Sequence, residues 1–291
     1  MSAPPDDRRL TGRRALVTGA SRGIGAAVAV RLAACGADVA VTARTVEAGD
    51  APKGKVSRSP ACLATTAAAV ERAGRRAVVV PADLADPSSR AGLVAAATEG
   101  LGGPIDILVN NAAANMVGPI ATFAAPRRRT LFAVNFEAPL ELMQAVLPAM
   151  RERRAGWIVN VSSSLARAPL ERTFPGAELA PMGLYGAAKA ALERVTSALG
   201  AELDGTGVRV NALAPRAAVA TEETVARGLE GIGPGQLEPL EAVVEAIVAL
   251  CDCAEEVTGR VFDTGSVDGA LGAGRRPSGA ELVPPGSGGE D

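Results

Sequence analysis

The only tyrosine of the chain and one of its three lysines stand four residues apart, as Tyr185 and Lys189 in YGAAK. On a helix that spacing puts both side chains on one face. A free phenol titrates near ~10 and is a poor acid or base at neutral pH, so it needs a neighbouring ammonium to favour the phenolate. The pair therefore has a chemical use, proton exchange with a carbonyl or alcohol oxygen, against the plainer alternative of a core tyrosine beside an unrelated lysine. Histidine is absent from all 291 residues, which removes the commonest general base and the commonest zinc ligand. Of the four cysteines, Cys35, Cys62, Cys251 and Cys253, the last two sit two apart, where a helical pattern points them to different faces. Neither a disulfide frame nor a metal site is expected.

A second candidate for chemistry is TGASRGIG, Thr18 to Gly25. Gly19, Gly23 and Gly25 let a backbone turn sharply and approach a pyrophosphate, whose charge sits well at a helix N-terminus; Ser21, Arg22 and Ile24 complete the loop. An ordinary glycine-rich turn is the competing reading. Cofactor choice follows from charge. NAD users place an acidic side chain at the end of the second strand to accept from the ribose 2′-OH, whereas this chain has Ala43 then Arg44, with Arg22 nearby in the glycine loop. Two guanidinium groups favour a 2′-phosphate, so NADP(H) is expected rather than NAD(H). Lys53, Lys55 and Arg58 follow in a polar loop, where a mobile segment with no ligand role is the expectation.

The elements that must position these groups alternate along the chain. Strand-like runs occupy 15–19, 38–43, 76–81, 105–110, 156–162, 208–214 and 259–264, and Ala-rich helical stretches lie near 24–35, 61–74, 88–101, 124–152, 183–204 and 239–252. Strands separated by helices need crossovers, so the expected fold is a Rossmann-type doubly wound parallel β-sheet sandwiched by helices in a single α/β domain. Expected boundaries are an N-terminal tail 1–12, the domain 13–271 and a disordered tail 272–291, with long loops at 45–60 and 165–181.

Composition narrows the partners. The net charge is -2 and aromatic residues make up 2%, which supplies neither the field nor the stacking surface for nucleic acid. Arg127-Arg128-Arg129 and the cluster from Arg151 to Arg154 read as solvated helix faces. The N-terminus lacks an apolar leader, and no stretch approaches the ~20 apolar residues of a membrane span, so a cytoplasmic setting without membrane contact is expected.

Taken in order, the motifs resemble those of the short-chain dehydrogenase/reductase family from Arg14 to about Gly265. The glycine loop matches TGxxxGxG; Ala82-Asp83-Leu84 matches the segment that meets adenine; Asn110 to Ala113, including Asn111, Ala112 and Ala113, resembles NNAG; then come Val134-Asn135, IVNVSSS, YGAAK and NALAP. The resemblance implies that Lys189 also holds the nicotinamide ribose, that Asn135 holds a water in a proton relay, and that a serine polarises the reacting oxygen. Alignment selects Ser163, with Ser162 and Ser164 as alternatives. The interval from Ser163 to Tyr185 is longer than is usual in the family. Pro215 begins the segment that meets the nicotinamide carboxamide, where Arg216 replaces a glycine, and Val219 and Thr221 resemble the family's V-x-T with a one-residue shift. Arg216 either meets an anionic substrate or faces solvent.

The implied activity is NADP(H)-dependent interconversion of a ketone or aldehyde with an alcohol, by a homo-oligomer, dimer or tetramer, built on the two long helical stretches. A catalytically idle NADP-binding regulatory or scaffold protein is the alternative. Segments 113–124, 165–181 and 216–235 would cover the substrate with Met116, Leu165, Leu170, Phe174, Met182 and Leu229, which suits an apolar one.

Overall fold

The computed structural model describes residues 8–49, 61–167, 177–222, 224, 237–267 and 269. Lys53, Lys55, Arg58, Leu170, Phe174, Leu229 and the expected tail 272–291 lie outside them.

All seven strand-like runs form strands: β1 Arg14–Thr18, β2 Asp38–Thr42, β3 Ala77–Val79, β4 Ile107–Asn110, β5 Gly156–Val161, β6 Val208–Ala214, and, after two short strands described below, β9 Val261–Asp263. They make one sheet in the order β3-β2-β1-β4-β5-β6-β9, parallel throughout. The central strands are apolar on both faces because helices cover both, and β4 and β5 are buried at every position. Helices α1 Gly23–Ala34, α2 Leu63–Arg72, α3 Pro87–Arg90, α4 Leu93–Leu101, α5 Ala125–Phe132, α6 Ala138–Arg153, α7 Gly183–Glu202 and α8 Leu240–Leu250 supply the crossovers. One core cluster gathers α1, α2 and α8 on one face of the sheet; the other gathers α4, α6 and α7 on the opposite face. Within the expected N-terminal tail, Leu10 is fully buried and its N–H donates to the Cys35 carbonyl.

Two expected helices are interrupted. The stretch 88–101 divides at Gly92, with α3 started by an Asp86 cap and Pro87. The stretch 124–152 carries a π turn at Ala133–Glu137 between α5 and α6. Pro139 has no N–H to give to the Asn135 carbonyl four residues earlier, so the regular hydrogen-bond ladder fails there and the turn widens. Beyond β6, β7 Ala218–Val219 pairs with β8 Leu237–Glu238 as a small separate ladder, which the sequence pattern did not suggest.

The chain reverses direction of strand order between β1 and β4. In open parallel sheets the crevice beyond the strand C-termini at this point is where ligands bind.

Candidate active site

The β1 and β4 ends are locked together at that crevice. Asn111 Nδ2 donates to the Thr18 carbonyl at 2.8 Å and to the Gly19 carbonyl at 3.3 Å, while the N–H groups of Asn111 and Ala112 both reach Thr18 Oγ1 at 3.0 Å. Gly19 has φ 66, and a Cβ there would stand 2.8 Å from the Ala112 Cα, so the turn requires glycine. Behind it Thr66 Oγ1 donates to the Ala20 carbonyl at 2.8 Å. Gly23 opens α1 directly, and its cap residue Arg22 uses no side-chain capping bond, which leaves the first N–H groups of the helix for an anion. Ser21 and Ile24 are half-buried, Gly25 is buried, and Arg22 is exposed.

Arg44 is likewise exposed, two residues beyond the end of β2. The neighbouring Ala43 carbonyl accepts from the Ala82 N–H at 3.1 Å, which carries Asp83 and Leu84 along the same rim; Leu84 is buried, and the Asp83 carboxylate accepts from Ala85 N–H at 3.0 Å. This segment is anchored by Arg90, whose side chain is buried. Its guanidinium donates to the Leu84 carbonyl at 2.7 Å and to both Glu141 carboxylate oxygens at 2.7 Å. The fork-on-fork geometry raises Arg90 above its ordinary value and holds the Glu141 carboxyl below its own.

Four candidate residues lie on elements packed around the C-terminal end of β5. Tyr185 and Lys189 stand one turn apart on α7. Lys189 is fully buried, its Nζ donates to the Val161 carbonyl at 2.7 Å and lies 5.8 Å from the centre of the Tyr185 ring. Gly186 lets the α7 backbone meet the Leu165 carbonyl, so the turn Ser164–Ala166 packs directly on the helix and brings Ser163 to Tyr185. The Ser163 hydroxyl accepts from the Leu165 N–H at 3.2 Å and stands near enough to the Tyr185 hydroxyl to act on its titration. Ser162 instead gives its hydroxyl to Glu193 Oε1 at 2.6 Å, and Ser164 is exposed, which separates the three serines of the run. Burial pushes the Tyr185 phenol up to about 12, with the nearby Ser163 hydroxyl opposing it. Burial also pulls Lys189 down to about 8, against the charge of Glu193.

Asn135, fully buried in the π turn, spends its side chain on backbone. Nδ2 donates to the carbonyls of Ala114 at 2.9 Å and Leu131 at 2.8 Å, and Oδ1 accepts from Ala114 N–H at 3.3 Å. The side chain thus fixes the strand-like segment after β4, in which Ala113 is exposed. The group left without its usual helical donor is the Asn135 carbonyl.

Residues 13–59 and 51–228 match the family described as short chain dehydrogenase. The chain belongs to that family. It is 36% identical over 206 residues to the ketoacyl reductase HetN of Nostoc sp., a stretch covering 71% of this chain and 63% of that protein. A region of the glycine betaine reductase ATRR of Emericella nidulans is 37% identical over 71% of this chain but only 14% of its own length, so the chain spans less than two thirds of both relatives. Among solved structures, a short chain dehydrogenase from Burkholderia cenocepacia J2315 in complex with NADP superposes with a TM-score of 0.70 at 32% identity, over 88% of this chain and 97% of the other.

In this short-chain dehydrogenase, the segment after β6 leaves Arg216 exposed, as the second of its two expectations had it, and engaged by neighbouring carboxylates. Arg216 pairs with Asp263 at 2.7 Å, just past the site, and its N–H donates to Glu238 at 2.8 Å. Arg216 lies against Gly265, and its φ is not positive. Pro215 and Val219 are buried, and the Thr221 side chain lies over Gly23, at the mouth of the glycine loop. Met116, Phe123, Leu184 and Tyr185 share one apolar cluster, and Val117 and Ile120 stand exposed beside it. Leu165 and Met182 are half-buried. Among the described residues there is no group of metal-ligating side chains, all four cysteines are free and buried, and no helix is long and apolar enough to cross a membrane. Thr66, Arg90, Pro139 and Glu193 escaped the sequence reading. Pro139 carried a visible signal, since a proline inside a helical pattern marks the carbonyl four residues before it.

Proposed function

We propose that this chain is an NADP(H)-dependent oxidoreductase that interconverts a ketone or aldehyde with an alcohol. The observation that carries the reading is Tyr185 on one helix face with a fully buried Lys189, whose ammonium lies 5.8 Å from the tyrosine ring. A protein that only bound a nucleotide would have no use for a tyrosine in that position.

The residues present fit the cofactor. A glycine turn that excludes a Cβ, a helix start without a side-chain cap, and two exposed arginines, Arg22 in the glycine loop and Arg44 past β2, suit a pyrophosphate and a 2′-phosphate. Gly19, Ser21, Arg22, Gly23, Ile24 and Gly25 would hold the former, Arg44 with Arg22 the latter, Asp83 and Leu84 the adenine, Asn111, Ala112 and Ala113 the ribose side, and Pro215, Val219 and Thr221 the carboxamide end. When bound, NADP(H) supplies or accepts the hydride.

The chain's own groups handle the proton. In carbonyl reduction, Ser163 donates a hydrogen bond to the carbonyl oxygen, Tyr185 gives that oxygen its proton, and the Lys189 ammonium stabilises the phenolate left behind. Reprotonation runs through Lys189 to a water held at the Asn135 carbonyl, the acceptor that Pro139 leaves open. Tyr185 and Lys189 titrate as a pair holding two protons below about pH 8 and one above it. Reduction should therefore fall above that pH, whereas alcohol oxidation, which needs the one-proton form, should rise toward a plateau there.

The apolar wall of Met116, Phe123 and Leu184, continued by exposed Val117 and Ile120, supports a mid-sized apolar substrate. A single catalytic domain at 13–271, a homodimer or homotetramer and a cytoplasmic location complete the reading. The test is a panel of ketones, aldehydes and alcohols followed at the nicotinamide absorbance with NADPH and with NADH. Turnover with NADPH is expected; tight NADPH binding without turnover on any of them would favour the idle binder, and tighter NADH binding would overturn the cofactor choice.

A further inference from the structure

Two consecutive residues at the end of β5 each grip one of two residues spaced by four along α7. Val161 accepts from Lys189 through its carbonyl at 2.7 Å, and Ser162 donates its hydroxyl to Glu193 at 2.6 Å, while Ser163, next along the chain, lies by Tyr185 and acts on its titration. Tyr185, Lys189 and Glu193 therefore follow one another on a single face of the helix. The proton chemistry proposed above uses the first two and leaves the third unexplained.

A lysine with no exposed surface pays for its charge unless an anion compensates it, and a backbone carbonyl is only a dipole. Few groups are available to supply that anion. β5 carries no ionisable residue. Glu137, in the π turn packed on α7, lies toward Arg90; Asp263, past β6, is paired with Arg216. Arg127 on α5 is turned to the Val117 carbonyl and the Phe123 ring, Arg209 lies on Trp157 at the far end of β6, and Arg194 and Glu202 of α7 are exposed. Among the described residues that leaves Glu193, which is half-buried and fixed by the buried Ser162 hydroxyl.

We propose that Glu193, anchored by Ser162, is a positioning residue that keeps the buried Lys189 in its ammonium form and so sets the pH range in which Tyr185 works. The effect on turnover rests on the oxidoreductase reading; the effect on Lys189 does not. Glu193 is also the charge that acts on Lys189 against its burial.

Because the chain has three lysines, Lys189 is directly observable. Protein labelled with ¹⁵N-lysine gives three Nζ resonances, that of Lys189 being the one lost in Lys189→Met. Glu193→Gln is expected to lower the Lys189 titration midpoint by about one unit, Ser162→Ala by less, and Glu193→Asp to restore part of the loss. The alkaline fall of carbonyl reduction should move to lower pH in step. An unmoved Lys189 midpoint in folded Glu193→Gln, or in folded Ser162→Ala and Glu193→Asp should the first variant not fold, would overturn the proposal. A shifted midpoint in a protein without turnover would uphold it and sink the oxidoreductase reading instead.

Discussion

The two ends of the sheet treat charge in opposite ways. At the N-terminal ends of the strands, ionised groups are matched. Asp106 accepts from Arg14 N–H at 2.9 Å and from Arg153 at 3.1 Å, Asp38 pairs with Arg75 at 2.8 Å and Arg13 with Asp252 at 3.0 Å. Trp157 lies there between the guanidinium groups of Arg13 and Arg209, at 3.8 and 4.8 Å, with its N–H on the Cys253 carbonyl. At the C-terminal ends, a phenol and an ammonium are buried and driven in opposite directions from their ordinary values. One edge is built for stability. The other tolerates instability in the groups that carry the chemistry.

Substitutions sharpen or break this contrast, and the largest effect belongs at the chemical edge. Tyr185→Phe should lower carbonyl reduction by about 10²–10⁴-fold while urea unfolding and NADPH affinity stay near wild type; retained turnover would remove Tyr185 from the mechanism. Lys189→Met should abolish most activity yet stabilise the fold by about 1–3 kcal/mol at pH 7, because an ionised group no longer has to be buried. The sign follows from linkage. Native Lys189 titrates near 8, below its unfolded value, so between those two pH values the unfolded chain binds more protons and wild-type stability rises with pH. The advantage of the methionine variant should therefore shrink when the denaturation series is repeated toward pH 10, and an advantage constant with pH would contradict the buried-charge account.

A smaller change is expected at the β2 rim. Arg44→Ala should weaken NADPH binding roughly tenfold and leave NADH nearly untouched, as measured by fluorescence titration of both. The smallest belongs to the opposite edge: Asp106→Asn should cost about 1 kcal/mol in unfolding free energy with kcat unaltered. A catalytic defect there would erase the distinction between the two ends.

How much of this was readable beforehand differs between backbone and side chains. The seven strands follow from short apolar runs between helical stretches, since strands buried on both faces have no other way to be written. The glycine loop and the Tyr185–Lys189 spacing were legible for a similar reason, because each depends on local backbone geometry. Contacts across the fold were not. Ser163 was chosen over its two neighbours by alignment, whereas the physical reason is the closeness of the 164–166 turn to Gly186. Arg216 looked like a free charge near the site because Asp263, its partner, comes 47 residues later. Arg90 and Glu141, 51 residues apart, were equally silent. Asn135 was identified by motif, but only the structure separates its occupied amide from its carbonyl.

The amide of Asn111, spanning two strand ends, has a kinetic meaning. Because its bonds and those to Thr18 Oγ1 hold the glycine turn in one shape, the entropy of ordering that turn is lost once, when the chain folds. A dinucleotide that must arrive and depart in every catalytic cycle then docks onto a finished surface, and none of its binding energy is consumed in shaping the loop that receives it.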